Sequence, residues 1–315
     1  RGLGDVYERQ TLPSSAVIIG AGAVALEFAS LWNAAGCEVT LLIRKDRVLS
    51  TWERRASMTL TRELKRRGVN VIARTAVDRV DTGANLGATV HYRQGDSDED
   101  RTAYGEVVLA AIGRVPNTDA DWFRSSGLKF DERGYVTVDG YGRTNLDGVW
   151  ALGDITPGHA LAHRAFEQGI TIAEKIAGAD PKPVLDDTVP QVVFSFPEAA
   201  SVGLTLDQAK AREDVVEPKE TAYPMLSNAR MLMSGEGGSM TVVSGAFANN
   251  PDMQVVLGVH IVSPIASDLI AEAEQLVGNR VPLADAARLI HPHPTFSETL
   301  GEALLKADGR PLHTR

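Results

Sequence analysis

The stretch Ala16-Val17-Ile18-Ile19-Gly20-Ala21-Gly22-Ala23-Val24-Ala25 decides the fold class of this chain. A short β-branched run leads directly into a glycine turn, and an alanine-rich helical pattern continues from the turn to Ala35. After Gly36, the run from Glu38 to Ile43 is typical of a second buried strand. Because a strand, a helix and a strand follow one another within about 30 residues, we predict an α/β chain with a Rossmann-like βαβ dinucleotide-binding domain.

The glycine turn inside this βαβ unit has the spacing G-x-G-x-x-A, formed by Gly20, Gly22 and Ala25. Gly20 permits the tight turn, Gly22 lets the backbone approach a pyrophosphate, and Ala25 lets the helix pack closely on the strand. The pyrophosphate would bind at the helix N-terminus, where unpaired N–H groups and the helix dipole favour negative charge. A glycine turn that binds nothing is the alternative, but the strand–turn–helix context favours a dinucleotide.

The end of the second strand bears on which dinucleotide binds. An acidic residue there accepts hydrogen bonds from the ribose of NAD, whereas an arginine accommodates the 2′-phosphate of NADP. The chain carries Arg44 and Lys45 at this position, followed by Asp46 and Arg47. Because a guanidinium forms two parallel bonds to a phosphate, we predict that NADP(H) is preferred over NAD(H). A solvated basic turn is the alternative.

Composition limits the classes of protein and partner. The chain has 315 residues, 43% of them hydrophobic, and a net charge of −9, which together predict two or three globular domains. An acidic chain does not favour a nucleic-acid partner or an anionic membrane, and its longest apolar stretch, Ala16 to Leu26, is too short to span a bilayer. A single cysteine, Cys37, excludes an internal disulfide. We therefore expect a cytoplasmic protein with no metal site.

Further elements follow from apolar periodicity and turn residues. We predict helices at residues 53–67, 160–177, 265–277, 283–289 and 295–306, and strands at 69–72, 77–80, 88–93, 106–112, 134–138, 148–152, 191–196, 239–246 and 254–262. The acidic segment 95–100 is expected to be an exposed hairpin tip. Asp154, which follows one predicted strand, could accept hydroxyl groups of a ribose or polyol, or cap a turn.

The segment from His291 to Glu298 contains a candidate acid/base residue. Pro294 keeps His293 out of helical geometry, so the imidazole should lie at the start of the last helix with Glu298 one turn inside it. A histidine held by a carboxylate can act as a general acid/base. The pattern Thr295-x-x-Glu298 is equally that of a capping box, in which Glu298 serves the helix alone. Both roles can hold at once.

Seven segments in this order resemble the pyridine nucleotide–disulfide oxidoreductases, and among them most closely the dihydrolipoamide dehydrogenase branch. The resemblance spans roughly residues 13 to 315. The segments that carry it are the motif from Gly20, then 113–117, 151–154, 161–165, 196–198, 228–230 and 293–298. The resemblance implies homodimeric FAD enzymes that move a hydride between NAD(P)H, flavin and a dithiol–disulfide pair, with a small disulfide or a lipoyl domain as substrate.

The resemblance also implies a division of the chain and a role for each matching residue. Residues 1–12 would be a linker or remnant of an upstream domain, 13–118 the NAD(P)-binding domain, 119–188 the C-terminal part of an FAD-binding domain, and 189–315 an α+β dimerisation domain. Gly20, Gly22 and Ala25 would hold the nucleotide, with Val77 and Gly113 lining its site. Asp154 would bond the FAD ribityl chain, and Ala160, Leu161, Ala162 and His163 would offer backbone N–H groups to the flavin ring. His293 would be the acid/base and Glu298 its partner, acting on the flavin and disulfide of the other subunit.

Departures from the family keep other functions open. The FAD pyrophosphate motif and the redox cysteine pair of the family lie upstream of the matching region, and Cys37 is expected to be buried packing instead. If these 315 residues are the whole gene product, we expect no stable FAD and no disulfide turnover. Arg44 replaces the acid usual in the lipoamide branch and resembles the NADPH-using glutathione-reductase branch. The alternatives are therefore an NADPH-dependent reductase of that branch, a cysteine-less quinone reductase, and a non-catalytic dinucleotide-binding dimer module.

Overall fold

The computed structural model describes residues 12–82 and 87–314. Apart from Leu12, the predicted linker at residues 1–12 lies outside the described residues. The strands are β1 (Ser15–Ile19), β2 (Glu38–Ile43), β3 (Asn70–Ala73), β4 (Thr75–Thr82), β5 (Ala88–Gln94), β6 (Arg101–Gly105), β7 (Val107–Ala110), β8 (Gln191–Val193), β9 (Glu198–Gly203), β10 (Val215–Pro224), β11 (Ser239–Phe247) and β12 (Asn250–Ser263).

The helices lie between some of these strands and after the last one. They are α1 (Ala23–Ala34), α2 (Arg54–Arg66), α3 (Asp121–Arg124), α4 (Ala162–Ile176), α5 (Leu206–Ala211), α6 (Ala229–Ser234), α7 (Ala266–Gly278), α8 (Leu283–Ala286) and α9 (Glu298–Ala307). Short 3-10 turns lie at Gly153–Ile155, Asp186–Thr188 and Met225–Ser227. The described residues divide into two compact units, one formed by residues 12–82 and 87–113 with 192–314 and the other by residues 114–191.

A parallel four-stranded sheet in the order β3-β2-β1-β7 forms the first part of the larger unit. Ile18 of β1 pairs with Leu41 of β2 on one side and Leu109 of β7 on the other. Val17 and Ile18 are fully buried, as expected for a central strand covered on both faces. All four strands end at the same edge, so the residues that follow them lie along one border of the sheet. The predicted α/β fold with its βαβ unit is confirmed.

Two helices cover this sheet. Helix α1 buries Ala25, Leu26 and Ala29, and α2 is amphipathic and begins at Glu53, whose two carboxylate oxygens accept from the N–H groups of Arg55 and Ala56 at 2.6 and 2.7 Å. This geometry satisfies two N–H groups that have no partner inside the helix. The smaller antiparallel sheet β4-β5-β6 packs beside the parallel one.

The rest of the larger unit is a five-stranded sheet, β10-β11-β12-β9-β8, covered by α7 and α9. Its core is continuous with that of the parallel sheet, because Val193, Ala199 and Val262 belong to the apolar cluster that contains Ile18 and Leu26. Two side chains of α1 add polar contacts across this join. The carboxylate of Glu27 accepts from the N–H of Phe194 at 3.0 Å, and the hydroxyl of Ser30 accepts from the N–H of Phe196 at 3.1 Å.

The smaller unit corrects two strand predictions. Residues 134–138 and 148–152 form only isolated bridges, Phe130 with Val136 and Arg143 with Trp150. In the first segment the Asp131 carboxylate accepts from the N–H groups of Arg133 and Tyr135, so the amide of Tyr135 is not offered to a neighbouring strand. In the second segment the N–H of Val149 turns back to Leu146 O at 3.2 Å, and that of Ala151 donates to Gly142 O at 2.9 Å.

Several other expectations were tested by the structure. The acidic segment 95–100 is exposed and joins β5 to β6, as predicted. Cys37 is 4% exposed and packs in the apolar cluster below α1, which confirms its role as packing. Helix α4 begins at Ala162 rather than at residue 160.

Candidate functional site

Gly20 closes the turn between β1 and α1, and the surrounding backbone requires glycine there. Its φ is +138°, a conformation that residues with a Cβ rarely adopt. Its N–H donates to Leu42 O at 3.1 Å, and the next bond along the sheet runs from Ala111 N–H to Ile19 O at 2.8 Å. A Cβ added at Gly20 would collide with the carbonyl oxygen of Ala111. The turn therefore lies tightly between the ends of three strands.

The N-terminus of α1 opens into free space. Gly22 is the N-cap residue, it is exposed, and a Cβ added there would meet no atom within 4 Å. No side chain caps the helix and no acidic residue lies in its first turn. Ala25, three residues on, is fully buried against the sheet. The N–H groups of the first turn are thus available to an anion that approaches over Gly22.

Of the basic residues that follow β2, Arg44 and Lys45 are exposed and Arg47 is half-buried. Arg47 donates to Asp46 at 3.0 Å and to Ser50 O at 3.1 Å, so its charge is already partnered. Arg44 and Lys45 form no side-chain hydrogen bond or ion pair with any residue in the described ranges. Two unpaired cations therefore stand at the edge of the sheet where β1 and α1 meet.

The other two residues predicted for this site lie on different elements. Gly113 follows β7, the neighbour of β1, with φ +144° and an exposed backbone. Val77 lies on β4, where it is half-buried and packs in the small cluster of Val90 and Tyr92. The structure therefore brings Gly20, Gly22 and Gly113 to neighbouring strand ends, whereas Val77 belongs to the adjacent antiparallel sheet.

In the smaller unit, the predicted flavin contacts surround the start of α4. Asp154 is exposed within the 3-10 turn, and Leu161 is the N-cap of α4 without a side-chain cap. The N–H groups of Ala162 and His163 belong to the first helical turn and have no partner inside the helix, and Ala160 is exposed just before it. Leu161 differs, because its N–H donates to His159 O at 3.0 Å. The His163 side chain is also engaged, with Nε2 donating to Pro190 O at 2.7 Å.

Arg164 holds this loop, and sequence reasoning did not single it out. Its side chain is 6% exposed. It donates to Asp186 at 2.6 Å and to Pro157 O at 2.6 Å. Gln168 adds a bond, accepting from the N–H of Gly153 at 2.9 Å. Only the contacts of the folded chain reveal this role, because Asp186 lies 22 residues away in sequence.

In the larger unit, His293 and Glu298 form the predicted pair. His293 Nδ1 lies 2.8 Å from Glu298 Oε1, and the imidazole side chain is 69% exposed. The other carboxylate oxygen accepts from Thr295 N–H at 2.8 Å. The Thr295 hydroxyl does not return the bond to the helix, since it donates to Pro292 O at 2.6 Å. Helix α9 begins at Glu298 rather than at residue 295, with Ser297 as its N-cap, so Thr295 lies before the helix and the predicted capping box is not formed. Glu298 instead binds both the Thr295 backbone and the His293 imidazole from the first position of α9.

The pKa of Glu298 lies below its usual value. Burial by itself acts to raise it, but the bond from Thr295 and the bond and charge of His293 outweigh burial and stabilise the carboxylate. Because the ionised Glu298 accepts the hydrogen bond from Nδ1–H of His293, the other ring nitrogen, Nε2, is the atom that can take or give a proton.

Two further residues fix this segment and were not predicted as site residues. Asn228 donates to Thr295 O at 3.1 Å while its own oxygen accepts from Met231 N–H at 3.0 Å. His291 lies 2.9 Å from Glu272, and this bond raises the pKa of the imidazole above its usual value. A Cβ at Gly301 would collide with the His291 ring, so α9 approaches the ring only through a glycine. The sequence signal for Asn228 was its place in the resembling segment 228–230.

Comparison with known proteins bears on this arrangement. Residues 4–169, more than half of the chain, match the family described as pyridine nucleotide-disulphide oxidoreductase. The chain belongs to that family. Residues 189–304 match the dimerisation domain of the pyridine nucleotide-disulphide oxidoreductases. The family resemblance read from the sequence is thereby confirmed.

Several pyridine nucleotide-disulphide oxidoreductases are similar along nearly all of this chain. A dihydrolipoyl dehydrogenase of Cupriavidus necator is 36% identical over 304 residues, which is 96% of this chain and 62% of the relative. That of Geobacillus stearothermophilus is 36% identical over 308 residues, with the same shares. The crystal structure of LpdA from Mycobacterium tuberculosis has a TM-score of 0.84 at 29% identity and covers 96% of this chain and 63% of its own. The chain thus spans less than two thirds of the length of these relatives.

Two classes of feature are absent from the described ranges, 12–82 and 87–314. No helix there combines the length and the apolar character needed to cross a membrane. Nor do three or more His, Cys, Asp or Glu side chains of those residues group in a way that could hold a metal ion.

Proposed function

We propose that this chain is the nucleotide-binding and dimerising part of a flavin-dependent oxidoreductase of the dihydrolipoamide dehydrogenase type. Such an enzyme moves electrons between a pyridine nucleotide and a dithiol–disulfide pair, here a lipoyl group. The observation that carries the proposal is the uncapped N-terminus of α1, which follows the Gly20 turn at the strand ends of the parallel sheet. This sheet lies within the residues that match the family. The names of the similar proteins support the disulfide chemistry.

The nucleotide would bind along the edge of the parallel sheet. Its pyrophosphate would lie over Gly20 and Gly22 at the start of α1, with Ala25 keeping the helix against the sheet. Val77 and Gly113 would line the remainder of the site. We further propose NADP(H) over NAD(H), because Arg44 and Lys45 are exposed, unpaired within the described residues, and able to bond a 2′-phosphate.

The residues at the start of α4 fit an FAD contact. Asp154 is an exposed carboxylate that can accept ribityl hydroxyl groups, and the first turn of α4 offers free N–H groups to a negatively polarised ring edge. FAD, when bound, would supply the relay of an electron pair between nucleotide and sulfur. Arg164 would keep this loop in place through its bonds to Asp186 and Pro157.

His293 would handle the proton of the thiol chemistry. With Nδ1 held by Glu298, Nε2 can accept the proton of a dithiol as it is oxidised and return it to a departing thiolate in the reverse direction. The match to the family's dimerisation domain supports a homodimer, in which this histidine would act in the partner's site. A chain whose one cysteine is buried packing fits a reducing compartment, and we propose the cytoplasm.

Nucleotide titration tests the first half of this proposal. We expect NADPH to bind at least about tenfold more tightly than NADH, as followed by nicotinamide fluorescence, because one charge-assisted bond already contributes that factor. Arg44→Glu should reverse the order, while Arg133→Glu, in the other unit, should leave it unchanged. Tighter binding of NADH by the unsubstituted chain would refute the NADP(H) preference, and no binding of either would refute the nucleotide site.

Turnover in the complete gene product that contains this chain tests the second half. His293→Gln should reduce lipoamide-dependent turnover by roughly 10²-fold or more, the range for a general acid/base, while NADPH-driven reduction of a quinone continues. Quinone reduction without any lipoamide turnover in the unsubstituted protein would favour a quinone reductase. A colourless protein that binds nucleotide and sediments as a dimer would identify a non-catalytic module.

A further inference from the structure

The register of two strands brings a third cation to the edge of the parallel sheet. In the pairing of β2 with β3, Ile43 stands opposite Ala73. The next residues along the two strands are Arg44 and Arg74. Arg74 N–H then donates to Lys45 O at 3.0 Å, which ties the two strand ends together beyond the last sheet pair. Three basic residues therefore follow two neighbouring strands at one place.

The backbone of Arg74 is unusual for an arginine. Its φ is +57°, in the left-handed region that favours glycine and asparagine. The conformation is held from both sides, because Arg74 O also accepts from Gly95 N–H at 2.8 Å. Strained residues of this kind concentrate at binding sites. An arginine at this position thus has a cost to the fold that a glycine would avoid.

The side chains of the three cations are free where most of their neighbours are paired. Nearby arginines of this unit bond carboxylates, as Arg47 does to Asp46, Arg93 to Asp78 and Arg101 to Glu99. Arg44, Lys45 and Arg74 are exposed and form no such pair with any residue between 12 and 82 or 87 and 314. On a chain with a net charge of −9, an unpaired group of three cations attracts an anion.

We infer that Arg74 is a specificity-determining residue that completes, with Arg44 and Lys45, a site for the 2′-phosphate of an adenosine ribose. The inference rests on the proposed nucleotide site. A phosphate monoester carries a charge of about −1.5 to −2 and three strong acceptor oxygens, which three cations at neighbouring strand ends can satisfy. A ribose with a free 2′-hydroxyl gains little from a third cation, so Arg74 should distinguish the two nucleotides rather than bind both.

Calorimetry with nucleotide fragments isolates this contact. The probes are 2′,5′-ADP, which carries the 2′-phosphate, and 5′-AMP, which differs from it only in lacking that phosphate. In Arg74→Asn, asparagine keeps the left-handed conformation and removes the charge. We expect the substitution to weaken binding of 2′,5′-ADP by about tenfold or more, the value of one charge-assisted bond, and to change the affinity for 5′-AMP by less than twofold.

Arg280→Asn is the matched control. Arg280 is also a left-handed arginine, with φ +50°, but its guanidinium lies 4.3 Å from the centre of the Phe247 ring in the C-terminal sheet. The substitution removes the same charge and relieves the same strain, and it should leave both affinities unchanged. Thermal melting of both variants shows whether each is folded, and we expect Arg74→Asn to melt no lower than the unsubstituted chain.

The outcomes separate the inference from the function it rests on. An equal loss of both probes in Arg74→Asn, no loss of either, or the same loss in Arg280→Asn would overturn the role of Arg74. If the unsubstituted chain binds 5′-AMP as tightly as 2′,5′-ADP, the nucleotide site stands and the phosphate site is refuted. If it binds neither probe, the proposed nucleotide function itself fails.

Discussion

Glu298 holds His293 by Nδ1 at 2.8 Å while its second oxygen accepts from Thr295 N–H, also at 2.8 Å. One carboxylate therefore orients the imidazole and fixes the backbone just before helix α9. A substitution at Glu298 should accordingly affect both the fold and the proton transfer, whereas one at His293 should affect the second far more than the first. This asymmetry permits the two roles to be measured separately.

Glu298→Gln should lower the free energy of unfolding by about 1–2 kcal/mol at pH 7, because the charge-assisted bonds are lost. The folded pKa of Glu298 lies below its ordinary value near 4.5. The stabilisation is therefore present above that value and disappears as pH falls through the folded pKa. Urea unfolding between pH 3 and 7 should show the difference narrowing towards acid. Glu132→Gln, on an exposed turn, is the control, and a pH-independent difference would contradict the prediction.

Gly20→Ala should destabilise the larger unit by at least about 3 kcal/mol, since it adds a collision with Ala111 O to the strain of a positive φ. Gly113→Ala is a close match in backbone, with φ +144°, but meets no atom within 4 Å. It should cost only the strain, about 1–3 kcal/mol. Denaturant midpoints measure both, and equal losses would show that the collision with Ala111 is relieved by movement.

Arg164→Lys should loosen the loop from Gly153 to Gly158 without unfolding the smaller unit. Lysine keeps the charge but cannot bond Asp186 and Pro157 O together, so about 1–2 kcal/mol of local stability should be lost. Hydrogen exchange of the loop amides should accelerate roughly tenfold. Arg133→Lys, an exposed arginine of the same unit, should leave the exchange rates as they are. Unchanged rates in Arg164→Lys would show that the loop is held by other contacts.

Buried His260 and half-buried His291 should give pH dependences of opposite sign. His260 is fully enclosed, with Nε2 donating to Leu204 O at 3.2 Å and Nδ1 lying 2.7 Å from the Ser201 hydroxyl, and burial lowers its pKa below 6.5. The unfolded chain then takes up a proton first, so stability falls as pH drops below 6.5. In His260→Gln the free energy of unfolding should therefore fall less as the pH drops below 6.5.

His291 behaves in the opposite way because the bond from Glu272 raises its pKa above 6.5. Its contribution to stability is complete below 6.5 and is lost as pH rises through the folded pKa. In His291→Gln the stability should therefore depend less on pH above 6.5. Chemical denaturation from pH 5 to 9 gives the free energy of unfolding of each variant as a function of pH. If its difference from the unsubstituted chain changed with pH in the same direction for both variants, these assignments would be contradicted.

The sequence predicted the elements whose signals are local. Adjacent apolar runs, together with Gly20 and Gly36, predict strand β1, helix α1 and strand β2. The amphipathic period of the following segment predicts α2. The pair His293 and Glu298 was likewise found because the two residues lie only five positions apart and a proline follows the histidine.

What the sequence did not predict depends on distant partners. Strand β10 contains Pro218 and several charged residues, and it is extended only because β11 pairs with it through an irregular register. The false strand at residues 134–138 shows the reverse case, in which the Asp131 carboxylate captures the amide of Tyr135. Arg74 and Arg164 were missed for the same reason, since each acquires its meaning from residues that the fold brings beside it.

The join between α1 and the segment after β8 has a consequence for how the larger unit comes apart. Glu27 and Ser30 tie the helix to the amides of Phe194 and Phe196, and the apolar interior runs through without a break. The stretch assigned to nucleotide binding is therefore not an autonomous folding block. If it were excised by itself, it would expose to water the apolar surface that now packs against the C-terminal sheet. In the intact chain the parallel sheet and the C-terminal sheet should therefore unfold in a single cooperative step.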